Sequence, residues 1–164
     1  MAKRIPDGYN TVSTYLVVND AEKALAFYAK AFGAEPCVKM PGPGGKGIVH
    51  ADMRIGDSMV MLTEANPQWG LKSPKEYGGS PATLHIYVED ADALFQRAVE
   101  AGCEVKFPIM DAFWGDRYGK LLDPFGHEWG IATHKEDLSD GEIAKRQEEY
   151  FASMQQGGDD GPDG

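Results

Sequence analysis

An internal repeat limits the fold of this chain more than any other feature of its sequence. Residues 15–33 read YLVVNDAEKALAFYAKAFG, and residues 85–102 read HIYVEDADALFQRAVEAG. Farther along, IGDSMVML at 55–62 is matched by FGHEWGIA at 125–132, offset by 70 residues, as Asp20 and Asp90 are, while the closing glycines Gly33 and Gly102 are 69 apart. Agreement at a nearly constant offset indicates that the same structural unit occurs twice.

Each copy contains an amphipathic helix. In both, small and apolar residues recur at intervals of three and four, which places them on one helical face. Asn19 or Asp20 can cap the first helix, and the glycines Gly33 and Gly102 end the two helices. The apolar faces consist of Ala21, Ala24, Leu25, Tyr28, Ala31 and Phe32 in the first helix and of Ala91, Leu94, Phe95, Ala98 and Ala101 in the second.

Residues that alternate between polar and apolar predict four strands in each copy, so each copy reads βαβββ. The first module covers residues 10–64 and the second covers 82–137, with a Pro- and Gly-rich linker at 65–81 between them. The predicted strands lie near 12–18, 36–40, 47–55 and 58–63 in the first module and near 82–88, 104–110, 116–122 and 128–133 in the second.

The C-terminal region follows the second module. Ser139 and Glu142 have the spacing of a capping box, which predicts a helix within residues 138–154. The remaining residues, 155–164, read QQGGDDGPDG. This segment has almost no apolar side chains, so we expect a disordered tail.

The composition excludes several classes of protein. The formal net charge of −10 disfavours a nucleic-acid partner, because phosphate binding needs a basic face. No apolar run approaches the roughly 20 residues of a membrane helix, and MAKRIPDGYN lacks the apolar centre of a signal peptide, so we expect a cytoplasmic protein. Cys37 and Cys103 have no metal-ligand neighbours and are expected to be reduced, packed thiols.

Three short motifs of the second module make a resemblance specific. They are FWGDRYG, DPFGHEW and ATHKED. Together with the tandem βαβββ order, they resemble the PhnB-like branch of the vicinal oxygen chelate superfamily, which includes glyoxalase I, extradiol dioxygenases and bleomycin-resistance proteins. The resemblance covers about residues 10–137. It implies an α+β fold in which the two modules form a curled mixed sheet with a cleft, usually completed by a homodimer.

The resemblance also implies where a metal would bind. In metal-dependent relatives, His or Glu side chains from the first and fourth strand of each module face the cleft. Carried over by strand register, these positions hold Ser13, Met61, Thr83 and Gly130. Two hydroxyls, a thioether and a glycine are a poor donor set for a divalent ion. We therefore expect no metal at the usual position and no cofactor.

Strand alternation places other polar side chains in the cleft. A shifted site of His50, His85 and Glu128 could hold zinc or nickel, which leaves a divalent metal as an alternative. His85 beside Glu128 could also act as a general base oriented by a carboxylate, and we take these two as the candidate catalytic residues. The candidate ligand-binding residues are Tyr15, His50, Arg54, Met61, Tyr87, Phe113 and Trp114.

The segment FWGDRYG is expected on a loop at the cleft rim. Phe113 and Trp114 fit an aromatic lid for a planar or cationic ligand, and they fit plugs at the end of the sheet equally well. Asp116 and Arg117 can form a local ion pair. Asp123-Pro124-Phe125-Gly126 has the pattern of a type I turn.

Two histidines near the end of the second module look like metal ligands but are too far apart. His127 and His134 are seven residues apart on one extended strand, which separates them by roughly 23 Å. We expect His127 to bind backbone at the turn and His134 to be solvated.

These observations favour a homodimeric protein of the glyoxalase/bleomycin-resistance type that binds a small organic molecule in a dimer cleft without the usual divalent metal site. The alternative is an enzyme of lyase, isomerase or dioxygenase type, either metal-free or with a shifted metal. A third interpretation is an interaction module without a ligand of its own. The fold alone does not decide among them.

Overall fold

The computed structural model describes residues 2–156. It contains eight strands and three α-helices in this part of the chain, in the predicted order. They are β1 (Thr14–Val18), α1 (Ala21–Phe32), β2 (Glu35–Pro41), β3 (Ile48–Ile55), β4 (Ser58–Glu64), β5 (Thr83–Tyr87), α2 (Ala91–Ala101), β6 (Glu104–Asp111), β7 (Asp116–Leu122), β8 (Glu128–His134) and α3 (Asp140–Gln156).

The strands form two four-stranded mixed sheets with the same topology. The first sheet has the order β1-β4-β3-β2, and the second has the order β5-β8-β7-β6. In each, the first strand pairs in parallel with the fourth, and the other pairs are antiparallel. The predicted α+β fold of two tandem βαβββ modules with a C-terminal helix is confirmed.

Capping groups set the ends of the helices. Of the two predicted N-cap candidates, Asp20 has the role, because its side chain accepts from the backbone N–H of Lys23. Gly33 ends α1 with a φ of 69°, a left-handed conformation that favours glycine. Ser139 and Glu142 form the predicted capping box of α3, which extends to Gln156. The rest of the predicted tail, 157–164, lies outside the described residues.

Strand alternation gives each sheet one face against the helices and one concave face. The helix-facing side chains Leu16 and Val18 of β1, Leu62 of β4, and Trp129 and Ile131 of β8 are buried in the common core. Their neighbours in the chain point to the opposite, concave faces, where the predicted cleft residues lie. The prediction of which side chains on β1, β4 and β8 face the helices is therefore confirmed.

The two modules pack through α1, α2 and the turn before β8. Trp129 contacts Tyr28 and Phe32 of α1, with ring centroids 5.5 and 4.5 Å apart. His127 hydrogen-bonds through Nε2 to the carbonyl oxygen of Val17 at 2.9 Å, across the module boundary. Arg97 of α2 donates to the backbone carbonyls at the C-terminal end of α1.

No helix within residues 2–156 combines the length and the apolar character needed to cross a membrane.

Candidate functional site

A groove of about 930 Å³ lies between the two modules, where the edge strands β1 and β5 face each other. Its floor is apolar and includes Leu16, Leu84 and Trp129. Tyr15 of β1 lines one wall, and His85 and Tyr87 of β5 line the other. The groove therefore joins three of the predicted site residues from both modules.

An aromatic wall extends from this groove over the concave face of the second sheet. The ring of His85 lies 4.7 Å from that of Tyr87 and is stacked on that of Tyr118 at 5.6 Å with an interplanar angle of 4°. Trp114 continues the wall, with its ring 5.5 Å from that of Tyr118. Tyr87 is 62% exposed, so a large part of this wall is open to a ligand. We call His85, Tyr87, Trp114 and Tyr118 the aromatic wall.

Gly130 allows the aromatic wall to form. Strand β8 lies between β5 and β7, so His85 and Tyr118 meet across it, above Gly130. A Cβ atom at Gly130 would lie 2.7 Å from Nδ1 of His85 and 3.1 Å from Tyr118. The missing side chain is therefore the reason that the two rings can stack.

A buried carboxylate, that of Asp116, fixes two side chains of the aromatic wall. Asp116, the first residue of β7, accepts hydrogen bonds from the hydroxyl of Tyr87 and from Nε1 of Trp114, both at 3.0 Å. It also binds Nδ1 of His134 at 2.7 Å, and Nε2 of His134 binds Asp137 at 3.0 Å. Burial acts to raise the pKa of Asp116, but the hydrogen bonds from His134, Tyr87 and Trp114 outweigh it, and the pKa lies below its ordinary value.

These contacts correct one prediction and extend another. Asp116 does not pair with Arg117, because consecutive strand residues point to opposite faces. The guanidinium of Arg117 instead forms ion pairs with Asp92 and Asp111. His134 is exposed to solvent, as predicted, and Asp116 also anchors one of its ring nitrogens. Asp116 is thus a site residue that the sequence interpretation missed.

Glu128 lies on the same concave face but has other partners than expected. Its carboxylate forms an ion pair with Lys120 and accepts from the hydroxyl of Thr83 at 3.4 Å. Lys120 is the main cause of the lowered pKa of Glu128, with Thr83 contributing. His85 makes its close ring contacts with Tyr87 and Tyr118. The structure therefore directs the Glu128 carboxylate to Lys120 rather than to His85.

The concave face of the first sheet holds a different chain of polar contacts. The Tyr15 hydroxyl lies 3.2 Å from Nδ1 of His50, and Nε2 of His50 lies 3.0 Å from Oδ1 of Asp52. Asp52 is only 7% exposed and lies near Tyr9. Burial, followed by the neighbouring carboxylate of Asp52, raises the pKa of Tyr9.

The two modules carry related ring pairs in reversed order. Tyr15 pairs with Met61 across the strands just as His85 pairs with Gly130. Tyr15 is stacked on His50 with ring centroids 5.7 Å apart, and His85 is stacked on Tyr118. Tyr15 and His85 thus occupy equivalent positions in the two modules, and so do His50 and Tyr118. At each position one module has a tyrosine and the other a histidine. Asp52 pairs with Met61, and its counterpart Lys120 pairs with Gly130.

The remaining predicted ligand-binding residues are less central. Arg54 is exposed and forms an ion pair with Glu35 of β2. Met61 lies beside Tyr9 in a shallow pocket of about 450 Å³ beneath the N-terminal segment. Phe113 lies in the turn between β6 and β7 and packs on α3, with its ring 5.5 Å from that of Tyr150.

The predicted turn before β8 is closed by a 3.1 Å hydrogen bond from the N–H of Gly126 to the carbonyl of Asp123, and Asp123 has a second role. Oδ1 of Asp123 accepts from the backbone N–H groups of Phe125 and His127 at 2.8 and 3.0 Å. Its other oxygen, Oδ2, accepts from Nε1 of Trp129 at 2.8 Å and from the hydroxyl of Tyr28 at 2.7 Å. Asp123 therefore shapes the turn and also joins the two modules.

The side chains at the usual metal positions of the superfamily do not fit a divalent ion. The hydroxyl of Ser13 donates to the carbonyl of Asn10, and that of Thr83 donates to Glu128. Met61 offers a thioether, and the space above Gly130 is filled by His85. The three side chains of the alternative, shifted metal site are divided between the two sheets. His50 belongs to the first sheet, and His85 and Glu128 belong to the second. Among residues 2–156, no three His, Cys, Asp or Glu side chains are grouped as metal ligands.

Two tandem βαβββ modules with concave faces and a groove between them define a protein of the glyoxalase type. The sequence profile of the glyoxalase/bleomycin resistance protein/dioxygenase superfamily matches residues 9–131, and the chain belongs to this superfamily. The resemblance stated from the motifs is thereby confirmed at the level of the superfamily.

Similar proteins include uncharacterised ones. The protein Rv0887c of Mycobacterium tuberculosis is 46% identical over 135 residues, which cover 80% of this chain and 79% of that protein. TioX from Micromonospora sp. ML1 has a similar structure, with a TM-score of 0.60 and 25% identity over 76% of this chain and 98% of TioX. The fosfomycin resistance protein FosX from Mesorhizobium loti has a TM-score of 0.56 at 17% identity, covering 76% of this chain and 91% of FosX, which is a likeness of fold alone.

Proposed function

We propose that this protein binds a small planar organic molecule in the groove between its modules, against the aromatic wall. One observation carries the proposal. The wall is preformed and partly exposed at the mouth of a groove whose floor is apolar. Ligand pockets of roughly 300–1,000 Å³ with apolar linings and few polar groups are typical of sites for drug-sized molecules.

The chemistry of the wall favours a planar ligand. Aromatic side chains prefer offset stacking and edge contacts with other rings. Tyr87 and Trp114 are held in place by Asp116, so little side-chain entropy is lost when a ligand stacks on them. The net charge of −10 attracts a cationic ligand at long range. A planar cation is therefore the ligand class that we propose.

Metal-free binding is part of the proposal. Its support is the poor donor set at the usual positions, Ser13, Met61, Thr83 and Gly130, together with the contacts that already engage the hydroxyls of Ser13 and Thr83. FosX from Listeria monocytogenes, which is similar in fold, was crystallised with Mn(II), so metal analysis of this chain is informative. One tightly bound divalent ion per chain in untagged protein would contradict this part of the proposal.

We also propose a homodimer and membership of the PhnB-like branch. The dimer is supported by the exposure of β2, the edge strand of the first sheet. Every residue of β2 is exposed, and two of them, Val38 and Met40, are apolar side chains that a partner subunit could cover. The assignment to the PhnB-like branch is supported by the motifs FWGDRYG, DPFGHEW and ATHKED. Light scattering coupled to gel filtration tests the dimer, and a monomeric mass at micromolar concentration would contradict it.

Titration calorimetry with two flat three-ring probes tests the ligand class. We expect acridine orange, a cation, to bind more tightly than neutral acridone. Replacing Tyr87 with Ala should weaken binding by roughly five- to ten-fold, because one stacked ring contributes about 1 kcal/mol. Tyr77 is a matched control, since it is equally exposed but lies in the linker. Equal losses in Tyr77→Ala and Tyr87→Ala would contradict binding at the wall.

A further inference from the structure

We propose that Tyr15 is an activated nucleophile, with His50 as its base and Asp52 as the residue that positions His50. The site lies on the first sheet, opposite the aromatic wall. It would act on small acyl compounds with a good leaving group, such as activated esters, that enter the groove. The inference rests on the proposed function only in placing such a compound in the groove.

The direction of the hydrogen bonds carries the assignment. A carboxylate only accepts hydrogen bonds, so Asp52 fixes the proton of His50 on Nε2. Nδ1 then has a free lone pair, and the hydroxyl of Tyr15 must donate to it at 3.2 Å. This tautomer leaves the imidazole ready to take the phenolic proton.

Burial decreases along the chain of contacts from acid to phenol. Asp52 is buried, and its Oδ1 lies 3.0 Å from Nε2 of His50. His50 is partly exposed, and Tyr15 is 48% exposed and lines the groove. A buried acid, a histidine of intermediate exposure and a partly exposed hydroxyl residue are the arrangement that activates hydroxyl nucleophiles in hydrolases on unrelated folds.

The second sheet provides an internal comparison. His85 and Tyr118 are stacked like Tyr15 and His50, but the position of Asp52 is taken by Lys120. Lys120 is a donor and pairs with Glu128, so it cannot orient an imidazole as Asp52 does. Packing alone would produce the stacked rings in both sheets, whereas a carboxylate that bonds the stacked histidine is found in the first sheet, where Asp52 contacts His50.

The expected reaction balances as an acyl transfer. The Tyr15 proton moves to Nδ1 of His50 while the phenolic oxygen attacks the acyl carbon. A bond from this oxygen to the acyl carbon forms, and the bond from that carbon to the leaving oxygen breaks. The imidazolium that results is stabilised by Asp52 and returns its proton to solvent or to the leaving group.

The test is acetylation of the protein by p-nitrophenyl acetate, followed by peptide mass spectrometry. Tyr15 should gain an acetyl group at least about 100-fold faster than Tyr77, which is the size of a general-base contribution. Tyr77 is 69% exposed, so accessibility alone would make it react faster. Tyr118 serves as a second internal reference, because it has the stacked histidine without the acid.

Variants separate activation from folding. Replacing Tyr15 with Phe should abolish the label, and replacing His50 with Ala should lower its rate by about 100-fold. Imidazole added to His50→Ala should restore part of the rate, which a purely structural role of His50 would not allow. Replacing Asp52 with Asn should slow labelling, and replacing it with Glu should slow it less. Circular dichroism checks that each variant remains folded.

Three outcomes would overturn the assignment. They are labelling of Tyr15 no faster than that of Tyr77, a rate unchanged in a folded His50→Ala variant, and no response of that variant to imidazole. Slower labelling in His50→Ala with acridine orange binding retained would show that the nucleophile and the proposed ligand site are separate features. Labelling without any acridine orange binding in the parent protein would refute the ligand class alone.

Discussion

The hydroxyl of Tyr28 in α1 donates a 2.7 Å hydrogen bond to Oδ2 of Asp123, a buried carboxylate 95 residues farther along the chain. Because Asp123 also accepts from Trp129 and from two backbone N–H groups, one side chain satisfies four donors. Burial, followed by the charge and the hydrogen bond of Asp123, raises the pKa of Tyr28 well above its ordinary value. The phenol therefore stays protonated and keeps its role as a donor.

Removing this carboxylate should destabilise the whole chain. We expect Asp123→Ala to lower the free energy of unfolding by roughly 3 kcal/mol or more, because several buried donors lose their acceptor. Tyr28→Phe should cost about 1.5–3 kcal/mol, as expected for one hydrogen bond to a charged group. Urea unfolding measures both. Asp57→Ala, in the exposed turn between β3 and β4, is the matched control and should change stability by less than about 0.5 kcal/mol.

A methyl group at Gly130 should displace His85. The added Cβ would lie 2.7 Å from the His85 ring, so the ring must turn away from Tyr118. We expect Gly130→Ala to lose roughly 1–3 kcal/mol of stability from overpacking, and to weaken ligand binding at the wall. Gly141→Ala is the control, since open space surrounds Gly141 in α3 and helix propensity should add about 0.5–1 kcal/mol. An unchanged His85 signal in the NMR spectrum of Gly130→Ala would contradict this account of Gly130.

Stability should decrease as the pH rises past neutrality because of His134. Hydrogen bonds to Asp137 and Asp116 raise the pKa of His134 above its ordinary value of 6.5. The stabilisation is fully present below the unfolded pKa and is lost as the pH rises through the folded pKa. Urea unfolding between about pH 6 and about pH 8 should show this decrease, and His134→Asn should reduce it. The same slope in both proteins would show that His134 does not contribute.

The two thiols should differ in reactivity. Burial, followed by the charge of Asp123, raises the pKa of Cys103 to about 12, and its side chain is buried. Cys37 is exposed on β2. Because the thiolate is the reactive form, Ellman's reagent should titrate one thiol in the native protein and two in denaturant. Cys37→Ser should abolish the native reaction, and a residual fast phase in that variant would contradict the burial of Cys103.

Much of the fold could be predicted from the sequence because its signals are local or periodic. The repeat offset predicted the shared topology, and alternation predicted which residues of β1 and β8 face the helices. The same rule could have separated Asp116 from Arg117, since neighbours on a strand point to opposite faces. The prediction of an ion pair between Asp116 and Arg117 relied too much on their proximity in the sequence.

The site was harder to predict because its contacts cross an intervening strand. Tyr15 and His50 lie on β1 and β3, and β4 is between them. His85 and Tyr118 likewise meet across β8, which only the absence of a side chain at Gly130 permits. Strand order and the reach of long side chains determine these contacts, and neither leaves a periodic signal in the sequence. The pairing of Glu128 with Lys120 joins the adjacent strands β8 and β7, and it was missed because the sequence does not show which strands are neighbours.

The reversed order of tyrosine and histidine in the two modules gives the groove a direction. A ligand that spans it meets a phenol from the first module at one end and an imidazole from the second at the other. Reversing the orientation of an asymmetric molecule would therefore change which of its groups faces the hydroxyl of Tyr15 and which faces the imidazole of His85. The two modules share one topology, and the exchange of these two residue types would let the proposed ligand site distinguish the two ends of a molecule.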